Sequence, residues 1–358
     1  MHRETAEIIP RLEGHMRIDT VRKEERFITL EGQIFEPRSE NVLALKNIVL
    51  GEGLTPFFEN NKGSNTAPHL LKIGLFTLRK VRQRPWLNIL LFVLTFITTT
   101  AGGALLSGVD VFANPLLFWR GLPYSLSIIL ILGSHELGHY LTCRYFGMQA
   151  TPPFFIPFMP PFGTMGAVIR MGLIPSRRAL IRVGAAGPIV GFLVAIPVTI
   201  VGLMLSEVVS TPATSGAVQF GESLIFQLLS LIVKGPLPQG STVMIHPVAL
   251  AGWLGFLVTA LNLLPLSQLD GGHISYGLFG KNRIYLSIAT YVALASVAFF
   301  FKSWNWLVWA AITLAFGFKH PPAEDEITPL KASDVLFSLA ALAILILTVV
   351  PVPMQILK

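Results

Sequence analysis

The chain has 358 residues, 52% hydrophobic and only 13% charged, with a formal net charge of +7 and one cysteine. Soluble domains carry nearer a quarter charged residues, so the composition excludes an ordinary water-soluble globule and points to a polytopic α-helical membrane protein. The lone Cys143 excludes an intramolecular disulfide framework and a cysteine-rich metal cluster, and reads as a small helix-packing residue.

Residues 1 to about 84 are charged and contain no run long enough to span a membrane. MHRETAEIIPRLEGH has no apolar core, and its glutamates argue against an organelle transit peptide. The expected home is therefore a prokaryotic plasma (inner) membrane. FITLEGQIFE (27–36) alternates like a strand, and SENVLALKNIVLGEG (39–53) has helical apolar spacing and ends in glycine. LTPFFENN and HLLKIG read as further short strands around the NNKGSN turn. Residues 1–84 are thus expected to form a small cytoplasmic α+β module.

A helical span needs about 20 mostly apolar residues. Stretches near 85–106, 122–143, 183–205, 247–266, 284–301, 304–318 and 334–352 approach this, the sixth being short, so six or seven transmembrane helices are expected. Basic residues gather beside them: Arg79, Lys80, Arg82 and Arg84 before the first, Arg144, Arg177, Arg178 and Arg182 between the second and third, Lys281 and Arg283 before the fifth. Positive residues stay inside, so the N-terminus is cytoplasmic, and the second and fourth spans run inward. Charges placed this way set orientation and do not mark a nucleic-acid partner. The outer segment, about 206–245, is too short for an inserted domain, and FGESLIFQLLSLIVKG within it is amphipathic enough to lie at the interface.

Charges inside a bilayer are costly and each needs a reason. Two carboxylates fall at membrane depth, Glu136 in ILGSHELGHY (131–140) and Asp270 in NLLPLSQLDGGH (262–273). His135 and His139 are four apart, so a helix projects both imidazoles from one face toward one ion. Glu136 follows the first histidine, the H-E-x-x-H arrangement of zinc hydrolases, in which the ion acidifies a water and the glutamate takes its proton. The bland reading is two structural histidines in a helix bundle.

A catalytic zinc site needs a third protein ligand and an open position. Asp270 is the leading candidate, because Pro265 ends the fourth span and Gly271 and Gly272 release the backbone after the aspartate. His273 is a rival ligand, or has a capping or supporting role. His246 enters the fourth span from the far side, about 30 Å away by helix rise. His320 falls in a polar loop. The Asn262 amide either donates to the oxyanion formed when water attacks a carbonyl, or makes an interhelical hydrogen bond.

Taken together, SHELGHY, FGTMGAVIRM with the following GAAGP (184–188), and NLLPLSQLDGGH resemble the site-2 intramembrane zinc metalloproteases in order and spacing. The resemblance covers roughly 85–320 and implies one zinc per chain on His135, His139 and Asp270, with Glu136 catalytic and Asn262 near the scissile carbonyl. The N-terminal module and the lack of a PDZ insertion are similar to the subgroup of chloroplasts, cyanobacteria and some other bacteria. Arg182 departs from the pattern, standing where an acidic residue is expected. Residues 85–320 are thus expected to be the protease core, and 321–358 a cytoplasmic linker and a last transmembrane helix.

PPFFIPFMPPFGTMGAVIRMG (152–172) is apolar but too broken to span. GTMGAVIRM, with Gly163, Gly166 and Val168, is expected to form a strand of a re-entrant β-hairpin near the active site. Its edge would bind an unwound substrate by β-addition; the plainer reading is a loop that plugs the cavity. Gly187 and Gly191 form a small-xxx-small pair that lets another helix approach. The expected substrates are single-span membrane proteins, with membrane lipids as surroundings. The competing functions are a metallohydrolase of lipidated or other amphiphilic substrates, and a metal transporter or sensor. Against the last, Glu136 and Asp270 belong to no ladder of ligands across the membrane.

Overall fold

A computed structural model describes residues 4–61, 63–64, 66–75, 82–210, 218–315 and 320–356. Arg79 and Lys80 of the basic cluster, parts of the NNKGSN turn and of the outer segment, and the end of the sixth apolar stretch lie outside them.

The chain begins with α1 (Glu4–Glu13), β1 (Met16–Lys23), β2 (Phe27–Ile34), α2 (Arg38–Gly51), β3 (Thr55–Asn60) and β4 (His69–Gly74). The strands form one antiparallel sheet in the order β1-β2-β4-β3, in register at Leu30↔Leu71 and Phe58↔Leu71. Leu12, Leu30, Leu45, Val49, Phe58 and Leu71 fill its core. The strands and the helix read between residues 27 and 74 are present, whereas α1 and β1 were not legible. β1 is an edge strand exposed along most of its length, so it carries no apolar alternation to read.

Next come α3 (Pro85–Leu106), a 3-10 turn (Pro115–Gly121) leading into α4 (Leu122–Tyr145), β5 (Phe154–Pro157), β6 (Thr164–Val168) and α5 (Arg177–Leu205). β7 (Glu207–Ser210), β8 (Val218–Phe220), α6 (Leu224–Lys234) and β9 (Ser241–Met244) make the outer segment. The last part holds α7 (Pro247–Leu263), α8 (Asp270–Phe279), α9 (Arg283–Phe300), α10 (Asn305–Ala315), α11 (Ala332–Thr348) and β10 (Met354–Ile356). Among the described residues, four helical runs are long and apolar enough to cross a membrane, 85–106, 115–145, 177–205 and 270–300, and four apolar helices are shorter. The chain is a polytopic helical membrane protein.

The third apolar stretch starts at Arg177, not near 183, because Ser176 caps the helix by accepting from Ala179 N–H and so admits the basic turn. Glycines let α5 run against α4 and α8 at van der Waals range. A Cβ at Gly138 would lie 2.7 Å from the Ala186 carbonyl, and one at Gly277 would lie 2.5 Å from the Ile181 side chain. The fourth stretch is two helices. α7 stops at Leu263, and a connection with Ser267 in the left-handed region (φ 45°) leads into α8. That connection is held by Ser287, whose hydroxyl donates to the Pro265 carbonyl at 2.7 Å, and by Arg283, which donates to the Ser267 carbonyl at 3.2 Å. Gly271 and Gly272 do not release the backbone as expected. Both are helical, and a Cβ would lie 2.0 Å from the Leu263 carbonyl and 2.5 Å from the Ser267 carbonyl respectively, so they let α8 start tight against the break.

The run 270–300 reverses at Gly280. Gly277 packs on the first turn of α5, while Ser287 on α9 has already returned to Pro265. α10 starts beside the C-terminal strand, where the Trp306 indole donates to the Pro351 carbonyl at 2.8 Å. By His320 the chain is again beside α8.

Candidate metal centre

α4 presents two imidazoles one turn apart, and their Nε2 atoms lie 3.1 Å from each other. Asp270, the first residue of α8, closes a triangle. Its Oδ2 is 3.2 Å from His135 Nε2, and its Oδ1 is 3.3 Å from His139 Nε2. Tetrahedral zinc with bonds of about 2.0–2.1 Å separates neighbouring ligand atoms by about 3.3 Å. The donor set therefore fits that ion in spacing.

It also fits in charge. His139 Nδ1–H donates to the Val183 carbonyl at 2.8 Å, which leaves its Nε2 as a bare lone pair. A lone pair facing the Asp270 Oδ1 at 3.3 Å and the His135 Nε2 at 3.1 Å in a largely buried site is repulsive unless a cation or a proton lies between them. Ligand-capable atoms of His135, Glu136 and His139 all lie within 4.8 Å of one another. The Glu136 carboxylate lies near the Ile169 backbone, just beyond β6, and so sits between the metal triangle and the hairpin.

α5 provides the room. A Cβ at Gly187 would lie 2.1 Å from His139 Nε2, and one at Gly191 would lie 3.0 Å from the His135 Cβ. One at Gly184 would lie 2.8 Å from the Asp270 carbonyl. At spacings of three and four the glycines share one helix face, turned toward all three metal-site residues. Sequence reasoning treated Gly187 and Gly191 as a helix-approach pair and missed this. The signal was the run Gly184, Gly187, Gly191, which extends a two-residue motif to the length of the site. Counting 1.5 Å per residue from Arg177, the site lies about 10–20 Å along α5.

The other expected residues fall in three groups. His273, the rival ligand, is not in the triangle; its Nδ1 lies 2.7 Å from His320 Nε2. Asn262 is half-buried on the last turn of α7, with no hydrogen-bond partner for its amide among the described residues. An interhelical hydrogen bond is therefore not its role in this state. GTMGAVIRM forms a shorter strand than expected, β6, paired with β5 through Phe154↔Val168 and Phe155↔Ala167. Gly163 is in the turn before it, where φ is 74° and a Cβ would lie 2.4 Å from the Thr98 carbonyl of α3. Gly166, at φ 108°, occupies a backbone region that other residues rarely adopt.

Val168 also needs correction as an edge residue. The Arg170 main chain faces the β5 side, its amide donating to Thr151 Oγ1 at 3.0 Å and its carbonyl accepting from the Thr151 amide at 3.0 Å. Main-chain groups alternate along a strand, so Ala167 and Ile169 face the free edge and Val168 faces β5. Arg182, the departure from the family pattern, pairs with Asp334 at 2.7 Å, and Arg178 pairs with the same carboxylate at 2.9 Å. Asp334 is fully buried, and its partners come from 152 and 156 positions earlier, beyond the reach of any local pattern.

Comparison with known proteins gives a consistent picture. A family model described as peptidase family M50 matches residues 123–303, a little over half of the chain. The chain is 29% identical over 248 residues to probable zinc metalloprotease EGY2, chloroplastic, of Arabidopsis thaliana, covering 68% of this chain and 44% of that protein. It is 36% identical over 182 residues to probable zinc metalloprotease EGY1, chloroplastic, of the same plant, covering 48% and 32%. To probable zinc metalloprotease EGY3, chloroplastic, of Oryza sativa subsp. indica it is 33% identical over 255 residues, covering 64% and 42%. The chain thus spans less than half the length of these relatives. Their chloroplastic names run against the prokaryotic membrane expected from the first residues, while the apolar helices agree with a membrane in either case. No solved structure matches.

Proposed function

The chain belongs to peptidase family M50, and from that premise we propose that it is an intramembrane zinc metalloprotease that cuts single-span membrane proteins within or beside their transmembrane helix. The observation that carries this reading is the triangle of buried His135 and His139 with partly buried Asp270, and Glu136 between it and the free edge of a β-strand. Zinc held there would supply Lewis acidity, making a water nucleophilic near neutral pH.

The chain's own groups do the rest. Glu136 accepts the water's proton and can later hand it to the leaving amine. The Ala167 amide on the free edge of β6 holds the unwound substrate by strand addition, replacing hydrogen bonds that its helix gives up. The unpartnered Asn262 amide is free to donate to the carbonyl under attack. A helix shields its own peptide bonds, so the edge strand is what makes cleavage inside lipid feasible.

We further propose seven crossings, with the hairpin re-entrant from the cytoplasmic side. Two described positions support this, since α10 starts beside Pro351 and His320 lies beside His273, at the other end of the bundle. The N-terminal sheet and the basic first turn of α5 would then be cytoplasmic, and β10 would lie on the opposite side.

The direct test uses the purified full chain in lipid nanodiscs. Unaltered protein is expected to bind one zinc per chain and to cut a single-span polypeptide inside its span. Asp270→Ala is expected to lose both, while His273→Ala still reaches one zinc at saturating metal. Zinc retained in Asp270→Ala but lost in His273→Ala would reassign the third ligand.

The edge strand has its own test. Ala167→Pro removes an amide from the free edge, so cleavage should fall about ten-fold or more with zinc content unchanged, the scale of one lost hydrogen bond plus a ring clash. Ala167→Ser should cost much less. Full activity in the proline variant would remove strand addition from the mechanism.

A further inference from the structure

The N-terminal sheet and the segment 320–327 lie outside the stretch that matches the family model, yet contacts run from them to the metal triangle. His320 Nδ1–H donates to the carbonyl of Pro321 at 2.6 Å, so its Nε2 is an acceptor. His273 Nδ1–H therefore donates to that Nε2, at 2.7 Å. The His320 ring also lies flat on Tyr276, with centroids 4.6 Å apart, and the Tyr276 hydroxyl donates to Glu326. From there the segment joins the N-terminal sheet. Phe58 on β3 donates to the Glu324 carbonyl at 2.7 Å and accepts from the Glu326 amide at 3.0 Å, and Lys46 on α2 pairs with Glu324. Ile327 is buried in the core of the sheet.

The receiving end is the first turn of α8. Asp270 opens that helix and buried His273 follows one turn later. Gly184 of α5 fits between them, since a Cβ there would lie 2.8 Å from the Asp270 carbonyl and 3.1 Å from the His273 Cβ. Packing this close lets α8 neither slide nor rotate without moving the Asp270 carboxylate. A mere strap could grip α8 with an apolar side chain. Here it uses an imidazole whose tautomer is set, accepting from a buried imidazole that would otherwise lose its partner.

We infer that His320 is a positioning residue for Asp270, acting through His273, and that segment 320–327 couples the N-terminal sheet to the metal site. This rests on the reading of His135, His139 and Asp270 as zinc ligands. It assigns the N-terminal sheet a task that its own residues do not reveal, namely setting metal affinity from the water-exposed side.

The experiment compares full-length chains in nanodiscs by zinc affinity, in competition with a chelator, and by the visible absorption of bound Co²⁺, which reports ligand geometry. His320→Ala is expected to weaken zinc about ten-fold or more and to alter the Co²⁺ bands, as losing an outer partner of a ligand does. His320→Gln, whose amide oxygen can accept from His273, should recover most of both. Lys46→Glu leaves every group near the metal in place and should weaken zinc about two- to five-fold by loosening Glu324 from the sheet. Unaltered affinity and Co²⁺ bands in His320→Ala would overturn the positioning role. A Gln variant as weak as Ala would reduce the contact to ring packing, and full affinity in Lys46→Glu would disconnect the sheet. If the unaltered chain binds neither Zn²⁺ nor Co²⁺, the zinc reading itself fails, a result separable from all of these.

Discussion

Glu136→Gln is expected to keep its zinc and to lose about two to four decades of peptide-bond cleavage, the usual contribution of a positioned general base. The amide is nearly the same size and shape as the carboxylate, so the Ile169 backbone beside it and the hairpin stay where they are. The metal triangle does not include this residue and should remain intact. What is lost is the capacity to take a proton from water. Because substrate is proposed to bind through the β6 edge and the bundle interior, the variant should retain uncut single-span proteins. Those captured are expected to carry Gly, Pro or Asn toward the cytoplasmic third of their span, since unwinding a stiffer helix in lipid exposes unpaired amides. Mass spectrometry of the captured proteins, followed by incubation of each with unaltered enzyme, gives the readout. Captured proteins without a membrane segment, or none cut inside one, would refute the intramembrane protease reading.

Gly187→Ala is expected to remove zinc and activity together, although it adds a single methyl group. That methyl would lie 2.1 Å from His139 Nε2 and 2.5 Å from two ring carbons, so the imidazole has to leave. The ring cannot retreat within its own plane, because His139 Nδ1 is tied to the Val183 carbonyl. Overpacking of this kind costs roughly 1–3 kcal/mol in a core, which a bundle of this size can survive folded. The separation of effects is the point: normal folding by size exclusion and helix content, with less than a tenth of the zinc. Gly191→Ala is the graded control. Its nearest approach is 3.0 Å, to the His135 Cβ, so a small shift accommodates it and most zinc should stay. Equal zinc in Gly187→Ala and the unaltered chain would mean that His139 is not where the ion binds.

Much of the architecture was legible in the one-dimensional pattern. Long apolar runs are read directly because lipid demands them, and 85–106, 122–143 and 183–205 are helical throughout in the structure. Strands β2, β3 and β4 and helix α2 were readable because each buries one face and shows the period of that face. The exposed edge β1 has no such face, and α1 carries Pro10, a helix-disfavouring residue, within its short length, so neither stood out. His135, Glu136 and His139 were visible together because their spacing is a property of one helix.

By itself, then, the sequence determined the membrane class, the helical order, and that two histidines and a glutamate share a turn in an apolar span, because periodicity and composition are local quantities. Tertiary structure alone brought Asp270, the leading candidate, and not its rival His273 to those histidines, since Asp270 is 135 positions from His135. It decided that Gly184, Gly187 and Gly191 serve the imidazoles and α8, because a missing side chain gains meaning only from what fills its space. It turned Val168 away from the free edge and Ala167 toward it, since a one-residue change of register exchanges the two edges of a strand. And it brought His320 from a polar loop to His273, because a hydrogen bond between distant segments leaves no trace in the spacing of either.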